Sequence, residues 1–126
     1  MKELFDVHCH MVPGVDDGAA DLEESLAMLK MQHEDGVRKI IITPHYRRRM
    51  FETPAKKVHE QFLKLQEAAK KEYPDMSLYL GCELHSNMDL QDILEKRKYV
   101  TMAGSSYVLL EFSEGDSAQH IRERVY

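Results

Sequence analysis

His8 and His10 stand one residue apart, directly after the short apolar run Leu4 to Val7. Alternate residues of a strand point to the same face, so the two imidazoles become neighbours while Cys9 points away. Imidazole nitrogens and carboxylates are the usual ligands of Zn, Mn and Fe ions. Two imidazoles on one strand face are a poor core choice without something to share. Asp16-Asp17-Gly18 follows at once. Such a sequence also makes plain turns, but beside His8 and His10 one of the two carboxylates becomes a candidate ligand. Spacing does not decide which.

The same chemistry recurs down the chain. His45 follows Thr43-Pro44 at the end of an apolar run, Glu83 follows Gly81-Cys82, and Glu111 lies between Leu110 and Phe112. A carboxylate in an apolar strand is costly unless it meets a cation. Partnership with a metal is one solution; a buried salt bridge to an Arg is the other. His85 has the alternation to share the face of Glu83, or else lies in a loop. His33, His59 and His120 fall on predicted helices and read as ordinary polar residues. Arg47, Arg48 and Arg49 follow His45. Such a run is often a solvated face, yet beside this rim guanidinium groups suit two-pronged binding of a phosphate. Phe51 offers an aromatic face at the far end of that loop.

Some chemistries are excluded. Neither Cys9 nor Cys82 is followed six positions on by Arg; Val15 and Met88 stand there. A cysteine-nucleophile phosphatase loop is therefore absent. No GxSxG, GxGxxG or Walker A sequence occurs.

The elements that must position these groups alternate between strand and helix. Leu4 to Val7 reads as a first strand. Asp21 is a helix N-cap with Glu24 as its reciprocal partner. Leu22, Leu26 and Leu29 follow at helical spacing, and Gly36 stops the helix. Val37 to Thr43 is a β-branched strand, and Pro44 to Glu52 a loop. Thr53-Pro54 opens a second helix with Pro at its first position, carrying a stripe of Val58, Phe62, Leu65 and Ala69. Tyr73-Pro74-Asp75 ends it. Leu78 to Leu80 is the third strand, Leu90 to Lys98 a short helix, Tyr107 to Phe112 the fourth strand, and Asp116 to Tyr126 a last helix. This βα rhythm predicts an α/β fold, a parallel sheet or barrel. Each strand ends in or beside a His or Glu, and in α/β barrels functional residues gather at the strand C-termini.

The chain has 126 residues, the length of one domain or part of one. A net charge of −5 argues against a general nucleic-acid binder. No apolar run is long enough for a membrane span, and the N-terminus lacks the apolar core of a signal peptide. Two cysteines without CxxC spacing suit a reducing cytoplasm.

Asp6 to Gly18 (DVHCHMVPGVDDG) closely resembles the opening of the PHP-type bacterial protein-tyrosine phosphatases, the CpsB/CapC/YwqE group tied to capsular and exopolysaccharide synthesis. The resemblance continues in Thr43-Pro44-His45, Met50 to Pro54, Gly81-Cys82-Glu83 and Ser106 to Phe112. It implies a distorted (β/α)₇ TIM-like barrel carrying a cluster of up to three metal ions, usually manganese, with iron or zinc as alternatives. It implies a phosphotyrosine substrate on a bacterial tyrosine kinase. By position, His8, His10 and Glu83 would share one metal, Glu83 and Glu111 a second with Glu83 bridging, and Asp17 and His45 a third. The choice of Asp17 over Asp16 comes from the resemblance.

Such barrels run to about 250 residues, so residues 1–126 correspond to the N-terminal half. The family's later ligands, a His and an Asp-x-His pair, and a later substrate-binding Arg lie beyond the matched region. The expected reaction is hydrolysis of a phosphomonoester by metal-activated water, with His8, His10 and Glu83 acting through that water and Arg47 and Arg48 on the substrate. Two other readings stand beside it: a phosphatase of small esters such as histidinol phosphate, and a non-catalytic truncated fragment that binds metal weakly or a subunit completed by another chain, with a homo-oligomer among the candidate assemblies.

Overall fold

The computed structural model describes residues 3–86 and 101–125. The chain forms β1 (Leu4–Asp6), α1 (Leu22–Glu34), β2 (Val37–Ile42), β3 (His45–Tyr46), α2 (Ala55–Glu72), β4 (Ser77–Leu80) and β5 (Glu83–His85). A 3₁₀ turn (Met102–Gly104), β6 (Leu109–Glu111) and α3 (Ala118–Val125) follow. The predicted helix over Leu90 to Lys98 lies outside the described residues. No helix among the described residues is long and apolar enough to cross a membrane.

The strands form two parallel ladders, ordered β1-β2-β4 and β3-β5-β6. The second ladder continues the first past two breaks. Thr43-Pro44 separates β2 from β3, and Gly81-Cys82 separates β4 from β5. Backbone bonds bridge both: Gly81 N–H donates to Ile42 O at 2.8 Å and Glu83 N–H to Pro44 O at 2.9 Å. Proline cannot donate to a ladder, so a break at Pro44 follows from its chemistry. The sequence reading placed Pro44 to Glu52 in a loop. In the structure His45 and Tyr46 resume the sheet, because their partners Glu83 and Leu84 lie in register beside them.

The helices form where the capping chemistry predicts. Asp21 Oδ1 accepts from Glu24 N–H at 2.8 Å. Glu24 Oε2 reaches back to Ala20 N–H rather than to the N-cap residue itself. Gly36 takes φ +93° after the helix, a conformation that favours glycine. Pro54 is the N-cap of α2 rather than its first helical residue, so the helix starts one position later than expected, and Thr53 Oγ1 bonds Val15 O instead. Val58, Phe62, Leu65 and Ala69 are all buried, as their spacing requires. They meet Leu29 of α1 and Ile40, Ile42 and Leu78 of the sheet in one core. Leu22, expected to face inward, is exposed.

Asp75 ties the helical layer to the sheet. His33 Nε2 lies 3.0 Å from its Oδ1 and Arg38 Nε 3.1 Å from its Oδ2. The hydrogen bond from His33, with the Arg38 charge adding to it, holds this carboxyl below its ordinary range. A carboxyl whose folded pKa is depressed stabilises the fold above its unfolded pKa and loses that effect as acid protonates it in the folded state. Unfolding midpoints of the wild type and Asp75→Asn should therefore differ at neutral pH. They should converge as the pH drops through and below the ordinary carboxylate range, which thermal melts across acid pH will read.

Candidate metal centre

β1 delivers the first pair of ligands through the segment just past its end. His8 and His10 lie with ring centroids 5.4 Å apart. The segment then turns back under His10. Ala19 N–H donates to His10 O at 3.1 Å, and Gly14 N–H donates to Ala19 O at 2.9 Å. A Cβ built on Gly18 would overlap the carbonyl oxygen and Cβ of His10. Only glycine leaves room for that approach.

The two aspartates divide their work. Asp16 Oδ1 accepts from Gly18 N–H at 2.9 Å, and its Oδ2 accepts from His45 N–H at 3.0 Å. Asp16 is thus occupied with backbone, holding the turn and the start of β3. Asp17 faces the imidazoles: its Oδ1 lies 3.5 Å from His10 Nδ1 and 3.6 Å from His45 Nε2. Of the two aspartates, Asp17 is the one whose carboxylate lies beside the imidazoles.

β3, β5 and β6 bring the remaining groups together. His45 is the ladder partner of Glu83, and Glu111 is the partner of His85. Glu83 is only 8% exposed, yet its Oε2 lies 2.7 Å from His10 Nε2, 3.2 Å from His8 Nε2 and 3.3 Å from His45 Nδ1. Glu111 Oε2 lies 2.9 Å from His45 Nδ1. Both of those atoms are buried, and neither makes an aligned hydrogen bond.

Among the described residues, three sets of ligand atoms lie within 4.8 Å of one another: His8, His10 and Glu83; His10, Asp17 and His45; His45, Glu83 and Glu111. His10, Glu83 and His45 each belong to two sets, so the sets share their corners. The six side chains singled out in the sequence thus converge on one place. The partition differs from the expected one in two respects. His10 joins the Asp17 set, and His45 stands in two sets rather than one. Mixed nitrogen and oxygen donors of this kind suit Mn, Fe and Zn ions.

The arginines separate. Arg47 Nη1 lies 3.6 Å from Glu111 Oε1, and its Nη2 donates to Ser113 Oγ at 3.4 Å. Arg48 and Arg49 are exposed. One face of Phe51 is taken up within the site: its ring stacks on His45 at 5.1 Å and 18°. His85 is 3% exposed, with Nε2 3.0 Å from Ser113 Oγ. His33 is paired with Asp75, and His120 Nε2 reaches Ser86 Oγ at 3.2 Å. Ser113 was missed by sequence reasoning. Its only signal is its position two residues past Glu111. Cys9 is turned away from the ligands, and burial, with Asp6 and Asp16 adding to it, pushes its thiol up to about 12. It stays protonated at neutral pH and is a poor nucleophile.

Residues 4–126 match the family model described as capsular polysaccharide synthesis, CpsB/CapC. The chain belongs to the CpsB/CapC family. It is 41% identical over 118 residues to the tyrosine-protein phosphatase CpsB of Streptococcus pneumoniae, covering 94% of this chain and 49% of that protein. It is 30% identical over 109 residues to the tyrosine-protein phosphatase YwqE of Bacillus subtilis, covering 86% of this chain and 43% of that protein. A solved structure from work on YwqE of B. subtilis and CpsB of S. pneumoniae, described there as unique metal-dependent tyrosine phosphatases, superposes with a TM-score of 0.84 at 28% identity. The match covers 95% of this chain and 49% of that one. The chain therefore spans about half the length of the CpsB/CapC relatives it matches.

The Gly18 contact gives a test of the scaffold. Gly18→Ala must push His10 out of place, at a cost of about 1–3 kcal/mol by the overpacking rule. The variant should unfold earlier in urea and take up divalent metal ions more weakly by calorimetry. Unchanged behaviour on both counts would show that the turn does not set His10.

Proposed function

We propose that this chain carries the N-terminal ligands of a manganese-dependent protein-tyrosine phosphatase that acts on a tyrosine-phosphorylated protein, a bacterial tyrosine kinase, in control of capsular or exopolysaccharide synthesis. The observation that carries the reading is the buried pair His45 Nδ1 and Glu111 Oε2, 2.9 Å apart and without an aligned hydrogen bond. An unsatisfied buried polar atom is costly. An imidazole nitrogen and a carboxylate oxygen that both offer lone pairs, side by side and beside Glu83 Oε2, fit a shared cation. The donor set fits manganese, with iron or zinc as alternatives. The relatives' descriptions as metal-dependent tyrosine phosphatases point the same way.

Divalent ions supply Lewis-acid activation of water near neutral pH and neutralise charge on phosphoryl oxygens. This chain's residues hold the donors in place for that chemistry. His8, His10 and Glu83 form one corner, His10, Asp17 and His45 the second, and His45, Glu83 and Glu111 the third. Arg48 lies exposed just past β3, within the turn that borders this rim, where a guanidinium meets an incoming phosphate. Arg47 is tied to Glu111 and Ser113, and its contribution to the substrate passes through Glu111. Neither cysteine is followed six positions on by Arg, which is consistent with direct attack of water on phosphorus without a covalent intermediate.

The fold reading goes with it. The sheet runs in chain order with all strands parallel, as in half of a (β/α)₇ barrel. Phe5, Val7, Ile41 and Tyr79 line an apolar hollow away from α1 and α2, which fits the interior of such a barrel. We read residues 1–126 as one incomplete barrel domain whose apolar face suits contact with further barrel strands or with another copy. Two cysteines without CxxC spacing suit the cytoplasm.

Hydrolysis of a phosphotyrosine peptide should depend on added manganese and fall to background in a His8→Ala/His10→Ala variant. Histidinol phosphate, assayed alongside, should turn over more slowly. Equal rates in wild type and variant would overturn the assignment, and faster turnover of histidinol phosphate would move it to small esters.

A further inference from the structure

The turn that joins Arg47 to Phe51 closes on itself. Arg47 N–H donates to Phe51 O and Phe51 N–H to Arg47 O, each at 2.9 Å. Met50 N–H adds a bond to Arg47 O at 3.1 Å, and Arg49 takes φ +66° to complete the reversal. The backbone therefore fixes the distance between the two end residues.

Those ends touch different ligands of the same set. At one end the Arg47 guanidinium lies 3.6 Å from Glu111 Oε1 and bonds Ser113 Oγ. At the other the Phe51 ring lies flat on His45. Among the described residues, His45 and Glu111 are the two whose buried side-chain atoms lack aligned hydrogen bonds. A ligand held on its outer side keeps its inner atom aimed, and outer partners of metal ligands commonly change affinity by roughly 10–100-fold. Ser113 strengthens the hold. Its N–H donates to Asp116 Oδ2 at 2.7 Å, and its Oγ meets both Arg47 and His85 Nε2. Ser113 is thereby anchored by its hydroxyl from β5 and by its backbone N–H from the turn before α3.

We propose that the turn from Arg47 to Phe51 is a clamp for the third ligand set: Phe51 positions His45 by stacking, and Arg47, seated on Ser113, positions Glu111. Neither residue touches the cation or the reacting atoms; both are positioning residues. The inference rests on the metal reading above and assigns to Arg47 and Phe51 a role other than gripping the phosphate or the tyrosine ring. A substrate contact would change KM and leave ion affinity alone. A clamp changes ion affinity in the absence of substrate.

Calorimetric titration of the chain with manganese, without substrate, separates the two. Phe51→Leu should weaken uptake by roughly tenfold or more, and Phe51→Tyr, which keeps the ring, should restore it. Arg47→Gln and Ser113→Ala should each weaken uptake by a smaller factor, while Lys56→Gln, exposed on α2, matches wild type. Should Phe51→Leu fail to fold in a thermal melt, Arg47→Gln and Ser113→Ala decide the matter. Wild-type affinity in both, with only KM altered, overturns the clamp and leaves the metal reading standing. A wild-type chain that takes up no manganese overturns the metal reading and the clamp with it.

Discussion

One carboxylate oxygen organises this structure. Glu83 Oε2 lies within 3.3 Å of nitrogens from His8, His10 and His45. The three histidines come from two separate segments, and the nearest of them is 38 positions from Glu83 in sequence. A buried carboxylate without positive partners would cost several kcal/mol, so the fold is bound to bring those imidazoles to it. The strand order follows from the same need. β5 must lie beside β3 to set Glu83 against His45, and the end of β1 must curl over both.

The breaks in the sheet serve this convergence. Were β2 and β3 one uninterrupted strand, His45 would continue the straight ladder. Pro44 interrupts it, and Gly81-Cys82 interrupts its neighbour at the same level. The upper ladder is thereby a distinct unit, with its own small core of Tyr46, Cys82 and Leu84. The main core lies below, under the two longer helices. Stability and chemistry are separated along the strand direction: apolar packing at one end, ionisable groups at the other.

Much of this was legible from residue types. The helix stripe Val58, Phe62, Leu65, Ala69 and the stop at Gly36 report local preferences that the tertiary structure does not contest. The six ligand candidates were legible because a His or Glu in an apolar strand demands an explanation. Less was legible where the deciding partner is remote. His45 and Tyr46 are too short a run to announce a strand, and only Glu83 and Leu84 beside them make one. The division of Asp16 from Asp17 depends on which amides come within reach after folding, although an Asp two residues before Gly is the pattern of a side chain that caps its own turn. The stacking of Phe51 on His45 depends on a reversal that the arginine run does not signal.

Alternation in β5 has a final consequence. Glu83 and His85 flank Leu84, which is fully buried in the small core. A shift of this strand by a single residue would exchange the two faces. Leucine would then sit among the imidazoles, and two polar groups would enter oil. Misthreaded chains would thus lose ion pairing and apolar burial together, so the ionisable cluster acts as a proofreader of its own scaffold during folding.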